Sequence, residues 1–300
     1  MKKAFVATVL NEQDQAKLFI ESLLSQSVKP DEIVIVDAGS NDDTVSIINN
    51  LFEKQRNKKY RVLTKRGNRS IGRNCGIKNA NSEVIAVSDF GCVLDKNWFE
   101  KITKPLQNTK NDVVAGYYRP LTSNVFEKSL STYTCFPEDK ITKDFLPSSR
   151  SISFRKEVWK KVGGYPERLN TCEDLVFAVN LKKAGFNFVV EKKAIVLWSQ
   201  KKNINEAFWQ LYGYALGDGQ ARHIRSQTPL LYARYLFALV LLIMGYINLL
   251  FILFFLYLLW AIIKNYKYVR EIQALIFLPL LQLIADIAVL LGTTIGLLRR

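Results

Sequence analysis

The stretch that decides the fold is Val34-Ile35-Val36-Asp37-Ala38-Gly39-Ser40-Asn41-Asp42-Asp43-Thr44. A short apolar run ends at an acid, a Gly/Ser turn follows, and Asp42 stands where a helix could begin. This order predicts a buried strand, a turn and then a helix that Asp42 can cap. Capping alone can account for Asp42. Asp37, at the strand tip, is a candidate for binding a base or a ribose hydroxyl.

The same alternation continues through the first hundred residues. Short apolar runs predict strands over residues 5–10, 32–36, 61–64 and 83–87, and amphipathic stretches predict helices over 13–25, 42–54 and 72–80. Strands separated by helices favour an α/β fold with a mainly parallel sheet and helices on both faces. Ligands of such sheets bind beyond the carboxyl ends of the strands.

Three further stretches carry polar groups suited to chemistry there. Residues 66–76 contain three arginines at the start of a predicted helix. The N–H groups of guanidinium side chains and of helix N-termini both bind phosphate oxygens. Asp89 directly follows a strand, where a carboxylate can hold a divalent cation. Glu173 and Asp174 open a helix, where acids either complement the helix dipole or serve catalysis.

Taken together, these stretches resemble the family 2 glycosyltransferases, which have the GT-A fold, over residues 3–225. Asn11-Glu12 matches the family's Asn-Glu pair. Residues 36–44 match its Val-Asp-Asp-Gly-Ser-x-Asp-x-Thr signature, with Ala38 in place of one Asp. Residues 73–76 match Arg-Asn-x-Gly, and Glu173-Asp174 matches the Glu-Asp pair whose Asp is the general base.

The resemblance implies a role for each matching residue. Asp174 is the expected catalytic base of an inverting transfer, in which the acceptor oxygen attacks opposite the leaving diphosphate. The residues expected on the donor side are Asn11, Glu12, Asp37, Arg69, Arg73, Asn74 and Asp89, and those expected on the acceptor side are Ser153, Gly164 and Glu173.

The resemblance also implies a divalent cation, Mn²⁺ or Mg²⁺, held by Asp89. The family usually has Asp-x-Asp at this point, and here the sequence is Asp89-Phe90-Gly91. Gly91 removes one carboxylate, so Asp89 would bind the cation together with donor phosphates and water.

The last part of the chain changes character. Residues 235–263 contain no charged side chain, and residues 274–298 contain only Asp286. Each run exceeds the roughly 20 apolar residues that cross a bilayer. The first is long enough for one tilted helix or for a hairpin that turns near residues 245–248. We expect a GT-A catalytic domain over 1–201, an amphipathic interfacial helix over 202–228, and a membrane domain over 229–300 with two or three transmembrane segments, about 229–263 and 274–298.

Charge and flanking residues predict the location. The first 227 residues hold 36 of the 42 Lys and Arg and 25 of the 27 Asp and Glu, which gives a surplus of about 11 positive charges. That surplus suits an anionic substrate and anionic lipid, and no nucleic-acid-binding motif accompanies it. No signal peptide is expected, and the basic loop over 264–270 favours a cytoplasmic catalytic domain on a multi-pass protein of the cell membrane. The four cysteines, without paired spacing, are expected to be reduced and to form no zinc site.

The expected enzyme is therefore a hexosyltransferase-type glycosyltransferase of cell-envelope glycan or polysaccharide biosynthesis. Its donor would be a UDP- or GDP-sugar and its acceptor a lipid-linked or membrane-adjacent glycan. One alternative is a polyprenyl-phosphate sugar synthase, and another is a non-catalytic nucleotide-sugar-binding membrane protein. A nucleotidyltransferase would share the strand-tip acids, but the Glu173-Asp174 helix and the membrane tail disfavour it.

Overall fold

A computed structural model describes residues 1–299 of the chain. These residues divide into two compact units. The first comprises residues 1–119 and 138–199, and the second comprises residues 120–137 and the part of the chain from residue 200 onward.

The elements alternate through the first unit as the sequence predicts. The strands are β1 (Lys3–Val9), β2 (Glu32–Asp37), β3 (Tyr60–Thr64), β4 (Val84–Val87), β5 (Cys92–Leu94), β6 (Val113–Leu121), β7 (Ile152–Arg155) and β8 (Phe188–Ser199). The α-helices within residues 1–299 are α1 (Gln13–Leu24), α2 (Thr44–Gln55), α3 (Arg69–Asn79), α4 (Trp98–Thr103), α5 (Val125–Thr134), α6 (Lys156–Lys161), α7 (Glu173–Lys183), α8 (Ile204–Gln220), α9 (Thr228–Ile243), α10 (Ile247–Val269) and α11 (Ala274–Leu298).

The eight strands form one sheet in the order β3-β2-β1-β4-β7-β6-β8-β5. The first four of these pair in parallel, as the sequence predicts. The later strands introduce antiparallel pairs, β4 with β7, β7 with β6, and β5 with β8. The predicted α/β class is confirmed, and the sheet is mixed because β7 runs opposite to its neighbours β4 and β6, and β5 runs opposite to β8.

Helices cover both faces of the parallel half because alternate residues of β1 point in opposite directions. On one face α3 lies very close: a Cβ added at Gly76 would come 2.6 Å from Val6 Cγ1, and one at Gly72 would come 2.6 Å from Thr8 Cγ2. On the other face the ring of Phe5 packs against that of Phe19 from α1, with centroids 6.0 Å apart. The tight approach of α3 fixes its first turn at the carboxyl edge of the sheet.

The start of α2 differs in detail from the predicted cap. The helix begins at Thr44 after Asp43, and the Asp43 side chain makes no capping hydrogen bond. Instead, Asp42 Oδ1 accepts the Thr44 N–H at 3.1 Å, and Asp42 Oδ2 accepts the Gln13 N–H at 3.3 Å. Asp42 therefore joins the starts of α1 and α2.

In the second unit, the first apolar run is divided into two helices. The break follows Ile243, and Gly245 has φ +78° there, a conformation that favours glycine. Of the helices in residues 1–299, α10 and α11 are long and apolar enough to cross a membrane, with mean hydropathies of 2.3 and 2.4. The 16 residues of α9 give a length of about 24 Å. The number of spans stays a prediction.

Small residues bring α8 and α11 together. A Cβ at Gly292 would come 2.6 Å from Tyr212 O, and one at Gly219 would come 2.7 Å from Thr293 O. Gly292 and Gly296 form a Gly-x-x-x-Gly sequence, which allows close helix packing within membranes. The structure thus gives α8 a packing surface on α11. Its predicted position at the membrane interface stays a prediction.

Helix α5 also belongs to this unit, which no local pattern in the sequence indicates. Tyr133 OH donates to Leu278 O at 2.7 Å, and Lys128 Nζ lies 2.8 Å from Glu271 Oε1. The rings of Phe126 and Phe277 meet edge to face, with centroids 5.6 Å apart. Residues 120–137 therefore leave the sheet unit after β6 and pack with the C-terminal helices.

Candidate active site

Asp37 holds the turn that follows β2. Its Oδ2 accepts the Gly39 N–H at 3.0 Å, and its Oδ1 accepts the Ser40 N–H at 3.0 Å. Its relative exposure is 3 %. Gly39 has φ +104°, and the aliphatic part of Arg66 lies against it. The predicted donor-binding acid is thus built into the loop at the carboxyl edge of the sheet.

The loop after β1 is tied to this turn. Asn11, with φ +52°, accepts the Asn41 N–H on Oδ1 at 3.0 Å. Its own N–H donates to Ser40 Oγ at 2.9 Å, and the Glu12 N–H donates to Thr44 Oγ1 at 2.8 Å. Three of the predicted donor-side residues, Asn11, Glu12 and Asp37, are therefore brought together at two neighbouring strand ends.

A buried arginine joins the other two acidic stretches. Arg73 Nη2 donates to Asp89 Oδ1 at 2.6 Å, and Arg73 Nη1 donates to Glu173 Oε1 at 2.7 Å. The Arg73 side chain is 1 % exposed, against 23 % for Asp89 and 6 % for Glu173. Arg73 therefore connects the end of β4 to the start of α7. Direct contact between Arg73 and the donor stays a prediction.

The charges around Arg73 shift the pKa values of all three groups. Burial would lower the pKa of Arg73, but Asp89 and Glu173 outweigh it and raise that pKa. Burial would raise the pKa of Asp89, but Arg73 and then Arg150 and Arg69 hold it below its usual value. The pKa of Glu173 is raised, because burial and the neighbouring Asp174 together exceed the effect of Arg73.

Asp174 lies beside this cluster at the first turn of α7. Its Oδ1 accepts the Leu175 N–H at 2.8 Å, and its Oδ2 accepts the Ser149 N–H at 3.3 Å. Ser149 Oγ donates to the hydroxyl of Tyr165 at 3.0 Å, and burial raises the pKa of Tyr165. The half-buried Asp174 carboxylate is thus held by two main-chain N–H groups, and its role as the base stays a prediction.

Asn74 and Gly164 have structural roles. Asn74 Oδ1 accepts the N–H of Tyr165 at 2.9 Å and the indole N–H of Trp159 at 3.0 Å. Asn74 Nδ2 donates to Tyr165 O and to Glu167 Oε1, both at 2.9 Å. Gly164 has φ +79°, and a Cβ there would come 2.7 Å from Asn74 Oδ1. These contacts fasten the loop over 164–167 to α3, and the predicted donor and acceptor contacts of the two residues stay predictions.

The structure does not support the acceptor-side role predicted for Ser153. This residue is fully buried within β7, opposite Ala86 of β4 and Val114 of β6. Its hydroxyl donates to the carbonyl of Ile102. A hydroxyl that is enclosed in the sheet and held by the backbone cannot face an acceptor. The resemblance placed it near the site by sequence position, and the strand turns it inward.

Arg150, just before β7, was not assigned a role from the sequence. Its guanidinium carbon lies 3.8 Å from the ring centroid of Trp198 and 5.2 Å from that of Tyr118. Because Val87 of β4 pairs with Ile152 of β7, Arg150 and Asp89 extend past the same end of that strand pair. Strand pairing was the missing information, since Tyr118 and Trp198 are remote from Arg150 in sequence.

Asp89 is the carboxylate that could hold a cation. One of its oxygens is bonded to Arg73, and Gly91, with φ +84°, has open space where a Cβ would lie. No group of three or more His, Cys, Asp or Glu side chains within residues 1–299 forms a metal site. A single carboxylate fits Mg²⁺ or Mn²⁺ where substrate phosphates and water supply the other ligands.

The mixed sheet, with acids at the ends of β2 and β4 and an acidic pair at the start of α7, has the architecture of the GT-A glycosyltransferases. The family model for "Glycosyl transferase family 2" matches residues 5–160, which is just over half of the chain. The chain belongs to this family.

Individual proteins support the same assignment. The succinoglycan biosynthesis protein ExoA of Rhizobium meliloti is 24 % identical over 270 residues, covering 80 % of this chain and 78 % of ExoA. Mannosyltransferase PcManGT of Pyrobaculum calidifontis, solved with GDP-Man and Mn²⁺, superposes with a TM-score of 0.59 at 16 % identity, covering 72 % of this chain. Residues 1–349 of S. aureus TarS with UDP-GlcNAc give a TM-score of 0.53 at 19 % identity and the same 72 % coverage. The chain spans 61 % of the PcManGT chain and 66 % of that TarS chain.

Proposed function

We propose that the chain transfers a sugar, with inversion, from a UDP- or GDP-sugar to a lipid-linked or membrane-adjacent glycan acceptor. The observation that carries this proposal is the Arg73 bridge, with bonds of 2.6 Å to Asp89 and 2.7 Å to Glu173. Arg73 contacts both Asp89 and Glu173, which supports a shared site for the donor-side acid and the Glu173-Asp174 pair. Sugar transfer from a donor to an acceptor needs both the donor-side acid and the Glu173-Asp174 pair.

In the proposed reaction, Asp174 accepts the proton of the acceptor hydroxyl as its oxygen attacks the anomeric carbon. The bond from that carbon to the diphosphate oxygen breaks, and its electron pair leaves with the nucleoside diphosphate. Attack opposite the leaving group inverts the configuration. The Ser149 N–H, 3.3 Å from Asp174 Oδ2, orients the base. Proton removal by an oriented base contributes about 10² to 10⁴ in rate.

Asp89 would hold Mn²⁺ or Mg²⁺ together with the donor diphosphate. When bound, the cation supplies positive charge that neutralises the leaving group. PcManGT was solved with Mn²⁺, which supports the use of a cation by this fold. In this chain, Arg73, Arg150 and Arg69 keep the pKa of Asp89 low, so the carboxylate is ionised at neutral pH.

Membrane attachment through α10 and α11 supports the proposed acceptor. Both helices are long and apolar enough to cross a bilayer. In the most apolar 18-residue stretch of α10, 6 % of the residues are buried within the protein. A long apolar helix with so little protein cover fits a lipid environment. We propose that the catalytic unit faces the cytoplasm, because the basic residues within 264–270, a predicted loop that forms the C-terminal end of α10, follow the positive-inside tendency. ExoA, named for succinoglycan biosynthesis, is consistent with an envelope polysaccharide as product.

The test is release of nucleoside diphosphate by the full chain in detergent, scanned over UDP- and GDP-sugars with lipid extract as acceptor. Parallel reactions would contain Mn²⁺, Mg²⁺ or a chelator. We expect one donor to be turned over and Asp174→Asn to reduce the rate at least about 100-fold. Glu53→Gln, which neutralises an exposed acid near the end of α2, is the matched control and should keep full activity.

Two other outcomes would change the assignment. Activity that survives Asp174→Asn and depends on a polyprenyl phosphate would indicate a polyprenyl-phosphate sugar synthase, because a phosphate nucleophile needs no strong base. Donor binding without turnover on any acceptor would favour a non-catalytic nucleotide-sugar-binding protein.

A further inference from the structure

Arg150 is held in a defined place by two aromatic rings. Its guanidinium carbon lies 3.8 Å from the Trp198 ring centroid and 5.2 Å from that of Tyr118, and the two rings meet edge to face with centroids 5.8 Å apart. Trp198, at the end of β8, is buried and paired with Cys92 of β5. Such stacking restrains a side chain that otherwise has many rotamers.

Arg150 also brings positive charge to the end of β4. Burial raises the pKa of Asp89, and Arg73 has the largest opposing effect. Arg150 has the next largest effect and also lowers that pKa. Burial raises the pKa of the neighbouring Cys92 thiol to about 12, and Arg150 opposes that rise. Two carboxylates, Asp89 and Glu173, already neutralise Arg73. Arg150 and Arg69 both lower the pKa of Asp89, so both bring positive charge close to the end of β4, and positive charge there suits a polyanion.

The chemistry of the guanidinium defines which polyanion fits. Aromatic rings stack on its faces, whereas phosphate oxygens are bound by the N–H groups in its plane, so the two interactions are compatible. Charge-assisted bonds of this kind are about twice as strong as neutral ones. A lysine could supply the charge, but it has neither the planar stack nor the fork of N–H groups.

We propose that Arg150 binds the diphosphate of the nucleotide-sugar donor and stabilises the nucleoside diphosphate as it leaves. This inference rests on the proposed function and assigns a residue to its donor site. As the bond from the anomeric carbon to the phosphate oxygen breaks, negative charge grows on the diphosphate, and a fixed cation there lowers the barrier. Because Gly91 leaves Asp89 as the single acid of the metal motif, Arg150 takes a larger share of that neutralisation.

The experiment measures binding of UDP, GDP, UMP and GMP to the detergent-purified full chain by calorimetry in buffer with Mg²⁺. The variants are Arg150→Gln, which removes the charge, and Arg150→Lys, which keeps the charge without the stacked fork. Arg56→Gln is the matched control, because Arg56 is an exposed arginine at the C-terminal end of α2, at the opposite edge of the sheet. Size-exclusion profiles and tryptophan fluorescence would check that each variant is folded.

We expect Arg150→Gln to weaken binding of the preferred nucleoside diphosphate about 10- to 100-fold, and binding of the monophosphate much less. Arg150→Lys should show a smaller loss, about 5-fold, and Arg56→Gln none. Diphosphate affinity in Arg150→Gln equal to that in Arg56→Gln would overturn the inference and leave the proposed function standing.

The remaining outcomes are also decisive. If Arg150→Gln fails to fold, the lysine variant decides, and unchanged diphosphate affinity in it would refute a role for the stacked fork. If the unmodified chain binds none of the four nucleotides and releases none from any sugar donor, the proposed function itself fails. If the mono- and diphosphate lose affinity equally in Arg150→Gln, Arg150 does not bind the diphosphate.

Discussion

Replacing Arg73 by Met should destabilise the sheet unit and make its stability depend on pH in a new way. The substitution removes two charge-assisted hydrogen bonds, of 2.6 Å to Asp89 and 2.7 Å to Glu173, and keeps much of the apolar stem. It also leaves two neighbouring carboxylates without their shared counter-charge. Removing one partner of a buried ion pair costs about 3–5 kcal/mol.

The exposed fractions of the two acidic side chains decide where in that range the loss of stability falls. The Glu173 side chain is 6 % exposed, but that of Asp89 is 23 % exposed, so water reaches Asp89 and part of the cost is screened. Glu173 already has a raised pKa and can take up a proton. We therefore expect a loss of about 3 kcal/mol at pH 7, which corresponds to a fall of about 6–12 °C in Tm.

The pH dependence has a definite sign. In the unmodified chain, the lowered pKa of Asp89 contributes stability that is present above its unfolded pKa and is lost as the pH falls through the folded pKa. Without Arg73, the folded-state pKa values of both acids rise above their unfolded values. The variant then gains stability as the pH falls. The difference between the two proteins should thus shrink from pH 7 to pH 5.

The assay is thermal and guanidinium unfolding of the detergent-solubilised chain, followed by tryptophan fluorescence at both pH values. Arg56→Met controls for loss of an exposed arginine, and Arg73→Met combined with Glu173→Gln should recover part of the stability by removing one unpaired acid. A Tm for Arg73→Met within about 1 °C of the Arg56→Met control would refute the bridge as a stabilising element. A loss that grows towards pH 5 would refute the assigned charge states.

Three further substitutions test the packing of the two units. Asp286→Ala should lower the Tm of the detergent-solubilised chain by several degrees. Asp286 Oδ2 accepts hydrogen bonds from Arg234 Nη2 at 2.9 Å and from two tyrosines, and the substitution removes the carboxylate that pairs with this arginine. Size-exclusion chromatography after heating would measure the loss of folded protein. Gly296→Leu should separate α8 from α11 and give earlier aggregation in the same assay, whereas unchanged behaviour would argue against the close packing. Gly116→Ala should cost about 1–3 kcal/mol, because its Cβ would come 2.9 Å from Ala194 O within the sheet, and denaturant unfolding would show a shifted midpoint.

Much of the parallel half of the sheet could be predicted from the sequence. Apolar runs with turn residues after them gave β1, β2, β3 and β4 to within a few residues, because buried strands and their turns have strong local signals. The antiparallel strands were not assigned. β7 has only four residues, and its pairing with β4 joins positions 84–87 to 152–155, a long-range contact without a local signal.

The candidate site was predicted in part for the same reason. Asp37, Asp89 and Glu173 stand next to recognisable local patterns, and the structure places Asp89 and Glu173 on one arginine. The environment of Arg150 could not be predicted, because Trp198 and Tyr118 reach it from other strands. Ser153 differs in the opposite way. The family resemblance implied an acceptor-side role for it, but its side chain is buried within β7.

The most direct test of the central claim, single displacement assisted by Asp174, is the anomeric configuration of the transferred sugar. Product formed by the full chain from its turned-over donor would be examined by NMR through the anomeric coupling constants. We expect the configuration opposite to that in the donor, and product formed at least about 100-fold more slowly by Asp174→Asn. Retained configuration would contradict the proposed mechanism, because a single attack opposite the leaving group inverts the anomeric carbon.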